Sequence, residues 1–385
     1  MGVCGALSGW AEGQTPETGE IRKRLQRAAD FVEEEVAKGS VPGAALLVAQ
    51  GDELLLERYV GTYCGLNARD LPFTASVRNC TYSFAKGISA TVIAMVLNDG
   101  LFELDAPVST YVPGYVGGGK DKTTVRHLLT HAAGVPSVPL GPVGTDEEWD
   151  AAVQMMCDAE VEWEPGSKTA YHGVTGVFMA AEVARAVTGR TPWETLCRER
   201  LFAPIGADSL TFAAPSEDGP VAWTPQPETL QHAVTSETFP LLGHPAGGAF
   251  GTVRDFLKVI QLHLKRGRWG DALLLGEPGF GEMHRLQYAE EIAAAEARGE
   301  APTHEPWALG WLMKGSTENG WFGFGTRCSP ETFGHAGINT VITVGDPATN
   351  MALAFVTTDS PKSDEETMRL RNTVTDLAAG AFASA

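Results

Sequence analysis

Ser83 has the surroundings best suited to covalent chemistry, because it is the only serine in the sequence with a lysine, Lys86, three residues later. A strongly helical run, Phe84–Asp99, follows Ser83 directly, and Gly100 closes it. Residues three apart on a helix lie about one turn from each other, so we expect the Lys86 amine above the Ser83 hydroxyl. The first N–H groups of a helix are unpaired and face developing negative charge. A serine hydroxyl needs an adjacent base near neutral pH, and a desolvated lysine can be that base.

Two later clusters add groups that suit the same chemistry. The segment Glu164–Gly173 is a Pro/Gly loop that leads into a helical pattern and carries Tyr171. The segment Phe333–Ile338 reads Phe-Gly-His-Ala-Gly-Ile and stands just before a strand-like run. The chain therefore presents a Ser-x-x-Lys motif, a tyrosine loop and a His-x-Gly segment, in this order.

This order of motifs resembles that of the serine β-lactamase and penicillin-binding-protein superfamily. Three further segments carry the resemblance: His127–Gly134 is similar to the family's LLTHTSG segment, Pro245–Asp255 to its PAGG loop, and Ala308–Trp311 to its GLGW segment. The resemblance covers roughly residues 20–380 and is nearest to class C β-lactamases and family VIII carboxylesterases. It implies a β-lactamase-like fold and a serine hydrolase that works without a cofactor or a metal.

The resemblance also implies a role for each matching residue. Ser83 resembles the nucleophile that becomes acylated, and Lys86 and Tyr171 resemble the pair that takes its proton and passes one to the leaving group. The backbone N–H groups of Ser83 and Ile338 resemble the oxyanion hole, where two preorganised donors stabilise a tetrahedral intermediate.

Two departures from the family pattern bear on the substrate. Gly173 stands where class C β-lactamases have an asparagine that contacts the substrate amide, and His335 stands where they have a lysine. A histidine is mostly neutral near pH 7, so both changes weaken recognition of an anionic acyl-amide and favour a neutral ester. We expect His335, Gly337 and Gly173 to line the substrate site. Trp311 and Trp321 either form an apolar wall of that site or belong to ordinary packing.

Several functions compete for these residues. A carboxylesterase that cleaves small neutral esters through an acyl-enzyme is the favoured interpretation. An acyltransferase would pass the acyl group from Ser83 to a small-molecule amine or alcohol, and the sequence does not separate it from the esterase. A D-alanyl-D-alanine peptidase or weak β-lactamase fits less well, because of the two departures and because residues 1–20 lack a signal-peptide pattern. The intact Ser83, Lys86 and Tyr171 disfavour a non-catalytic binding module.

Other motif-like patterns do not support a different chemistry. His127 and His131 have the i, i+4 spacing of a zinc H-E-x-x-H site, but Leu128 stands in place of the glutamate and no third ligand is evident. We interpret both as structural histidines. No serine stands in G-x-S-x-G, which excludes the α/β-hydrolase nucleophile elbow.

The apolar pattern predicts the elements that must position these residues. A helical pattern starts at Glu20, and the runs Ala44–Ala49 and Leu54–Val60 indicate a β-hairpin. Helical patterns separated by Pro/Gly loops fill the middle of the chain: Val125–His131, Asp146–Ala159, Gly173–Thr188 and Pro192–Phe202. Strand-like runs return at Thr340–Val344 and Met351–Thr357, before a closing helical face.

This arrangement predicts an α/β (α+β) fold in which both chain ends build one antiparallel sheet, flanked by helices, with an inserted, mainly helical region. We expect a flexible tail over residues 1–19, an α/β sheet domain made of residues 20–80 and 241–385, and a mainly helical domain over residues 81–240. No internal repeat is evident.

Composition limits the partners and the location. The 385 residues, 43% of them hydrophobic, suffice for a large core, and the net charge of −19 disfavours nucleic acid and anionic membranes as partners. Six scattered cysteines without a C-x-x-C pair indicate a reduced protein. No segment approaches the length of a membrane helix, so we expect a cytoplasmic enzyme whose partner is a small-molecule ester or acyl substrate. The oligomeric state stays open.

Overall fold

The computed structural model describes residues 16–65, 68–138, 141, 143–213, 220–222, 242–315, 323–338 and 340–383. Its helices are α1 (Pro16–Ala37), α2 (Phe84–Asn98), α3 (Val125–Leu129), α4 (Asp146–Asp158), α5 (Thr175–Val187), α6 (Trp193–Cys197), α7 (Val253–Leu264), α8 (Gly279–His284), α9 (Ala289–Ala297) and α10 (Asp364–Ala381). Its strands are β1 (Gly43–Gln50), β2 (Glu53–Tyr63), β3 (Leu71–Pro72), β4 (Arg78–Cys80), β5 (Val221–Ala222), β6 (Phe250–Gly251), β7 (Arg268–Trp269), β8 (Ala272–Leu273), β9 (Leu312–Met313), β10 (Phe333–Gly337), β11 (Val341–Asp346) and β12 (Met351–Thr357). Among the described helices, none has an apolar stretch of the length that a bilayer crossing requires.

Seven of the described strands form one antiparallel sheet in the order β3-β2-β1-β12-β11-β10-β9. Its central strands, β1 and β12, come from opposite ends of the chain and pair from Ala44 opposite Thr357 onwards. Side chains alternate between the two faces, so Leu46 lies in the apolar cluster with α1 and α10, while Leu47 lies in the cluster with α2 and α7. The prediction of one antiparallel sheet built from both chain ends and flanked by helices is confirmed.

The predicted elements agree with the observed ones over most of their length. The hairpin of β1 and β2 is confirmed, whereas α1 begins at Pro16, before the predicted start at Glu20. The His-x-Gly segment precedes a strand as expected, because β11 follows it, and Phe333–Gly337 is itself strand β10. Glycine has a low strand propensity, yet Gly334 is required here, since a Cβ would overlap Thr343 O on β11. The domain boundaries stay a prediction.

Helix α2 crosses the core and places Ser83 directly before its first turn. Its residues from Phe84 to Leu97 are all buried, as expected of a helix that is apolar on every side. Gly87 lets the Trp311 ring pack on the helix backbone, because a Cβ at this position would overlap that ring. Gly100, with φ of +72°, follows the helix in the left-handed region that glycine adopts without strain.

A chain of buried hydrogen bonds joins α2 to α7 and α8. The Thr91 hydroxyl donates to Gly87 O at 2.7 Å, so it accepts from His263 Nε2 at 2.9 Å. His263 Nδ1 is therefore the unprotonated nitrogen, and it accepts a hydrogen bond from His284 Nε2 at 3.0 Å. This arrangement requires a neutral His263. Burial lowers the pKa of His263 and lowers that of His284 to about 3.

Stability should fall as the pH drops below about 6.5, the ordinary pKa of a histidine in an unfolded chain. Because the pKa of His284 in the folded state is only about 3, the unfolded chain binds more protons than the folded one below pH 6.5. Each pH unit of acidification then lowers the free energy of unfolding by about 1.4 kcal/mol for such a histidine. We expect the urea midpoint to decrease from about pH 7 to about pH 4.5. The variant His284→Asn should lose less stability than the wild type over that range. An equal loss in both would contradict the role given to His284.

Candidate active site

The structure brings Ser83, Lys86 and Tyr171 together at the start of α2. Lys86 Nζ lies 3.0 Å from Ser83 Oγ, and the Tyr171 hydroxyl donates a hydrogen bond to the same oxygen at 2.7 Å. The Lys86 amine also lies 5.1 Å from the centre of the Tyr171 ring. Helical spacing brings Lys86 to Ser83, whereas the contact between Tyr171 and Ser83 depends on the tertiary fold. One serine oxygen therefore touches two groups that can exchange protons with it.

Lys86 and Tyr171 hold their protons with different strength. Lys86 is fully buried, and its second partner is a neutral group, the Ala246 carbonyl oxygen at 2.9 Å. Burial lowers the pKa of Lys86 to about 7, so much of the amine is uncharged near neutral pH. Burial raises the pKa of Tyr171, which therefore keeps its proton. This difference suits Lys86 to accept the Ser83 proton and Tyr171 to donate one.

The carbonyl of Ala246 belongs to the Pro-Ala-Gly-Gly segment, which hydrogen bonds fix against the start of α2. The Ser89 hydroxyl donates to Pro245 O at 2.6 Å. The backbone N–H and the hydroxyl of Thr81 both donate to Ala249 O, at 2.8 and 3.0 Å. Sequence reasoning missed Ala246 as a site residue, because a backbone carbonyl leaves no side-chain signal. The resemblance of the segment to a family motif is the signal that marks its place.

Aromatic and polar contacts hold the tyrosine loop. The Trp307 ring stacks on the Tyr171 ring, with centres 5.8 Å apart and 14° between the planes, and the His131 ring lies 4.8 Å from Tyr171. Trp307 Nε1 donates to Glu305 Oε2 at 2.8 Å. The Glu305 N–H in turn donates to Thr169 Oγ1 at 2.5 Å. The loop is therefore held both at the Tyr171 ring and two residues before it.

The end of β10 lies against the residues that precede Ser83. A Cβ on Gly337 would lie 2.6 Å from Thr81 O, so this glycine lets the strand approach closely. Arg371 of α10, itself buried, fixes the strand end by donating to Gly337 O at 2.6 Å. The backbone N–H groups of Ser83 and Ile338 donate to no acceptor among the described residues. Both groups that the sequence assigns to an oxyanion hole are thus available to a ligand oxygen.

His335 lies on β10 two residues before Gly337 and therefore on the same face of the strand. The His335 ring is buried, and its centre lies 6.2 Å from that of Tyr171. A carbonyl oxygen only accepts hydrogen bonds, so Nδ1 of this ring donates to Ala336 O, at 2.8 Å. In the neutral ring, Nε2 is therefore unprotonated. Burial, together with the nearby Lys86, lowers the pKa of His335 to about 3. The structure therefore places an uncharged side chain here.

The remaining residues assigned to the substrate site lie in different environments. Gly173 stands on the tyrosine loop, and a Cβ added there would meet no heavy atom of the described residues within 4 Å, so the space beside it is open among them. Trp311 is fully buried and packs on α2, with Phe333 as a ring neighbour, which places it in the core rather than in a site wall. Trp321 lies outside the described residues.

His127 and the described cysteines show no sign of a metal site or a disulfide. In the described part of the chain, no group of three or more histidine, cysteine, aspartate and glutamate side chains is placed to hold a metal ion. His127 caps α3, where its Nδ1 accepts the Thr124 N–H at 3.3 Å. The described cysteines are free thiols: Cys64, Cys80, Cys157, Cys197 and Cys328.

Comparison with known proteins matches residues 28–376 to the family model described as Beta-lactamase. The esterase/β-lactamase LipL of Mycobacterium tuberculosis is 32% identical over 183 residues, which are 47% of this chain and 42% of that protein. That match therefore spans less than half the length of the relative. A family VIII carboxylesterase structure superposes with a TM-score of 0.71 at 25% identity, covering 95% of this chain and 98% of that one. The structure of EstCE1, described as a hydrolase with promiscuous acyltransferase activity, gives a TM-score of 0.71 at 16% identity, covering 94% and 100% of the two chains.

The rate at which a neutral fluorophosphonate labels Ser83 should depend on pH with an apparent pKa of about 7. Lys86 accepts the serine proton only when it is uncharged, and burial lowers its pKa to about 7, so the rate should rise about tenfold per pH unit below that value and level off above it. Intact-protein mass measures the rate from about pH 5 to about pH 9. Tyr171→Phe should lower the plateau by at least about 10²-fold without moving the midpoint. A rate that still rises tenfold per pH unit at about pH 9 would contradict an uncharged Lys86 near pH 7 as the base.

Proposed function

Since the chain belongs to the β-lactamase family and is a serine hydrolase of that family, we propose that it is a carboxylesterase that cleaves small neutral esters. The observation that carries this proposal is the neutral, buried His335 near Tyr171. A substrate carboxylate would find no cation at His335, whereas an uncharged ester needs none. The names of two similar proteins, the esterase/β-lactamase LipL and the family VIII carboxylesterase, support the same choice.

In the first half-reaction, Lys86 takes the hydroxyl proton as Ser83 Oγ attacks the carbonyl carbon of the ester. The carbonyl oxygen becomes an oxyanion and accepts hydrogen bonds from the backbone N–H groups of Ser83 and Ile338, which have no other acceptor among the described residues. When the bond from the carbonyl carbon to the alcohol oxygen breaks, Tyr171 donates its proton to the departing alkoxide. The Lys86 ammonium then returns a proton to the Tyr171 oxygen. The alcohol leaves, and an acyl ester on Ser83 remains.

In the second half-reaction, water attacks the carbonyl carbon of the acyl-enzyme. Lys86 takes a proton from this water, and a tetrahedral intermediate forms. As the bond from the carbonyl carbon to Ser83 Oγ breaks, the Lys86 ammonium returns that proton to Ser83 Oγ. The carboxylic acid then departs from a regenerated site. Lys86 and Tyr171 both contact Ser83 Oγ, at 3.0 and 2.7 Å, so the same side chains can serve both halves of the reaction.

Replacing Ser83 with alanine should abolish ester turnover and fluorophosphonate labelling while the fold is retained. The change removes only the oxygen that contacts Lys86 and Tyr171. Intact-protein mass after incubation with the probe measures labelling, and circular dichroism checks the fold. Ser329→Ala is the control, because Ser329 bonds Asp346 and takes no part in the site, and this variant should remain labelled. Labelling that persists in Ser83→Ala would place the nucleophile elsewhere.

Neutral esters should be far better substrates than β-lactams. A site without anchors for the carboxylate and the amide of a β-lactam loses about 1.5–3 kcal/mol for the hydrogen bond to the charged carboxylate and about 1 kcal/mol for the one to the neutral amide, or roughly two to three decades in rate for both. We expect kcat/KM for p-nitrophenyl acetate or butyrate to exceed that for nitrocefin by at least about 10²-fold. Efficient nitrocefin hydrolysis together with no ester turnover would reverse the assignment.

Two variants at Gly173 separate the missing amide anchor from a change in bulk. Both Gly173→Asn and Gly173→Ala should fit, because a Cβ at this position would meet no described atom within 4 Å. Asparagine adds one hydrogen-bonding group, worth about 1 kcal/mol or about fivefold in rate, whereas alanine adds none. Nitrocefin turnover should therefore rise only in Gly173→Asn. An equal rise in Gly173→Ala would mean that bulk rather than the amide controls this substrate.

A second candidate function is transfer of the acyl group from Ser83 to a small-molecule alcohol or amine. The observation that favours it is the similarity in fold to EstCE1, which is described as a hydrolase with promiscuous acyltransferase activity. The same catalytic groups serve both reactions, and only the nucleophile that attacks the acyl-enzyme differs. An added alcohol or amine should divert the product from the acid to a new ester or amide if the protein transfers acyl groups. An unchanged acid yield would leave hydrolysis as the function.

A further inference from the structure

His131 is bonded to the chain on both sides of Tyr171. The Ala170 N–H donates to His131 O at 3.1 Å, and the His172 N–H donates to His131 Nδ1 at 3.3 Å. The His131 ring also lies 4.8 Å from the Tyr171 ring and 4.5 Å from the Trp307 ring. A residue with no predicted part in the chemistry thus contacts the backbone before Tyr171, the backbone after it and its side chain.

The backbone of His131 has a conformation that most residues avoid. Its φ is +57°, in the left-handed region, where a residue with a Cβ is strained. Such strain persists only where the surrounding structure enforces it, and it often marks a functional position. The left-handed turn after α3 lets the carbonyl and the side chain of His131 reach the same loop, since both accept hydrogen bonds from the residues beside Tyr171.

The hydrogen bonds also fix the protonation of the His131 ring. Nδ1 accepts a backbone N–H, so the proton of the neutral ring is on Nε2, which has no hydrogen-bond partner among the described residues. Burial lowers the pKa of His131 well below its ordinary value, and the nearby Lys86, His335 and His172 lower it further. The ring is therefore neutral, and Nδ1 stays an acceptor, at the pH of about 7 where Lys86 loses its proton.

We propose that His131 is a positioning residue that holds the Tyr171 hydroxyl at Ser83 Oγ. This inference rests on the proposed acyl transfer to Ser83. The phenol donates at 2.7 Å, and a displacement of about 1 Å in such a group can cost about 10²-fold in rate. The described hydrogen bonds and ring contacts of His131 are with the tyrosine loop and Trp307, so we place its effect at Tyr171.

Two substitutions at His131 separate its acceptor from its backbone conformation. Asparagine carries a carbonyl oxygen on Cγ, where histidine carries Nδ1, and both asparagine and glycine adopt a left-handed φ readily. His131→Asn therefore keeps an acceptor for the His172 N–H, whereas His131→Gly removes it. His284→Asn is the control, because it removes a buried imidazole that bonds His263 rather than the tyrosine loop.

Steady-state kinetics with p-nitrophenyl acetate and the rate of Ser83 labelling measure the effect. We expect His131→Gly to lower kcat and the labelling rate by about 10²-fold at nearly unchanged KM, and His131→Asn to stay within about tenfold of the wild type. His284→Asn should keep the wild-type rates. Tyr171→Phe should cost at least about tenfold less in the His131→Gly background than in the wild type, because a displaced phenol contributes little.

Three results would overturn the inference: equal losses in His131→Gly and His131→Asn, wild-type rates in His131→Gly, or full additivity of His131→Gly with Tyr171→Phe. Thermal melting shows whether each variant is folded at the assay temperature. If His131→Gly is unfolded at the assay temperature, the rates of all variants are compared at a lower temperature at which the melting curve shows it folded. Failure of the proposed function itself is distinct, because the wild type would then show no labelling at Ser83.

Discussion

An uncharged amine buried against a serine hydroxyl is the constraint on which the structure depends. Lys86 is fully buried, and its described partners are Ser83 Oγ and the Ala246 carbonyl oxygen. Removing an ammonium from water without a counter-ion is so costly that the group gives up its proton instead, and the pKa of Lys86 falls to about 7. The fold must therefore keep bulk water away from Lys86, and a helix that is buried from Phe84 to Leu97 contributes to that exclusion.

The need to enclose Lys86 explains why distant parts of the chain meet at the start of α2. The end of β10 approaches closely because Gly337 has no side chain, and it brings the Ile338 N–H. The Pro-Ala-Gly-Gly segment brings the carbonyl of Ala246, and the tyrosine loop brings the phenol of Tyr171. Each segment both shields the amine and supplies one chemical group. A loss of packing in any of them is therefore also a loss of reactivity.

Local rules predict some of this site and fail for the rest. Helical spacing relates Lys86 to Ser83 directly, so that pair can be predicted from the sequence alone. Tyr171 lies too far along the chain for any local rule, and the family resemblance supplied it. Ala246 is not found because its contact uses a backbone carbonyl. The apolar pattern does not mark β10 as a strand, because its glycines have low strand propensity, and only the family resemblance indicates one there. The sequence allows Trp311 either in the wall of the substrate site or in the core, and its packing on α2 shows that it lies in the core.

The neutral states of Lys86 and His335 also affect the energetics of the proposed acylation. Proton transfer to Lys86 creates an ammonium as the substrate carbonyl oxygen becomes an anion, and both charges form in a water-poor region where opposite charges attract strongly. A permanent cation in place of His335, which lies near enough to Lys86 to interact electrostatically, would oppose this charging and make Lys86 a weaker base. The histidine thus affects more than the choice of substrate. In the proposed mechanism it lets Lys86 acquire its charge in the transition state, where that charge stabilises the oxyanion and lowers the barrier.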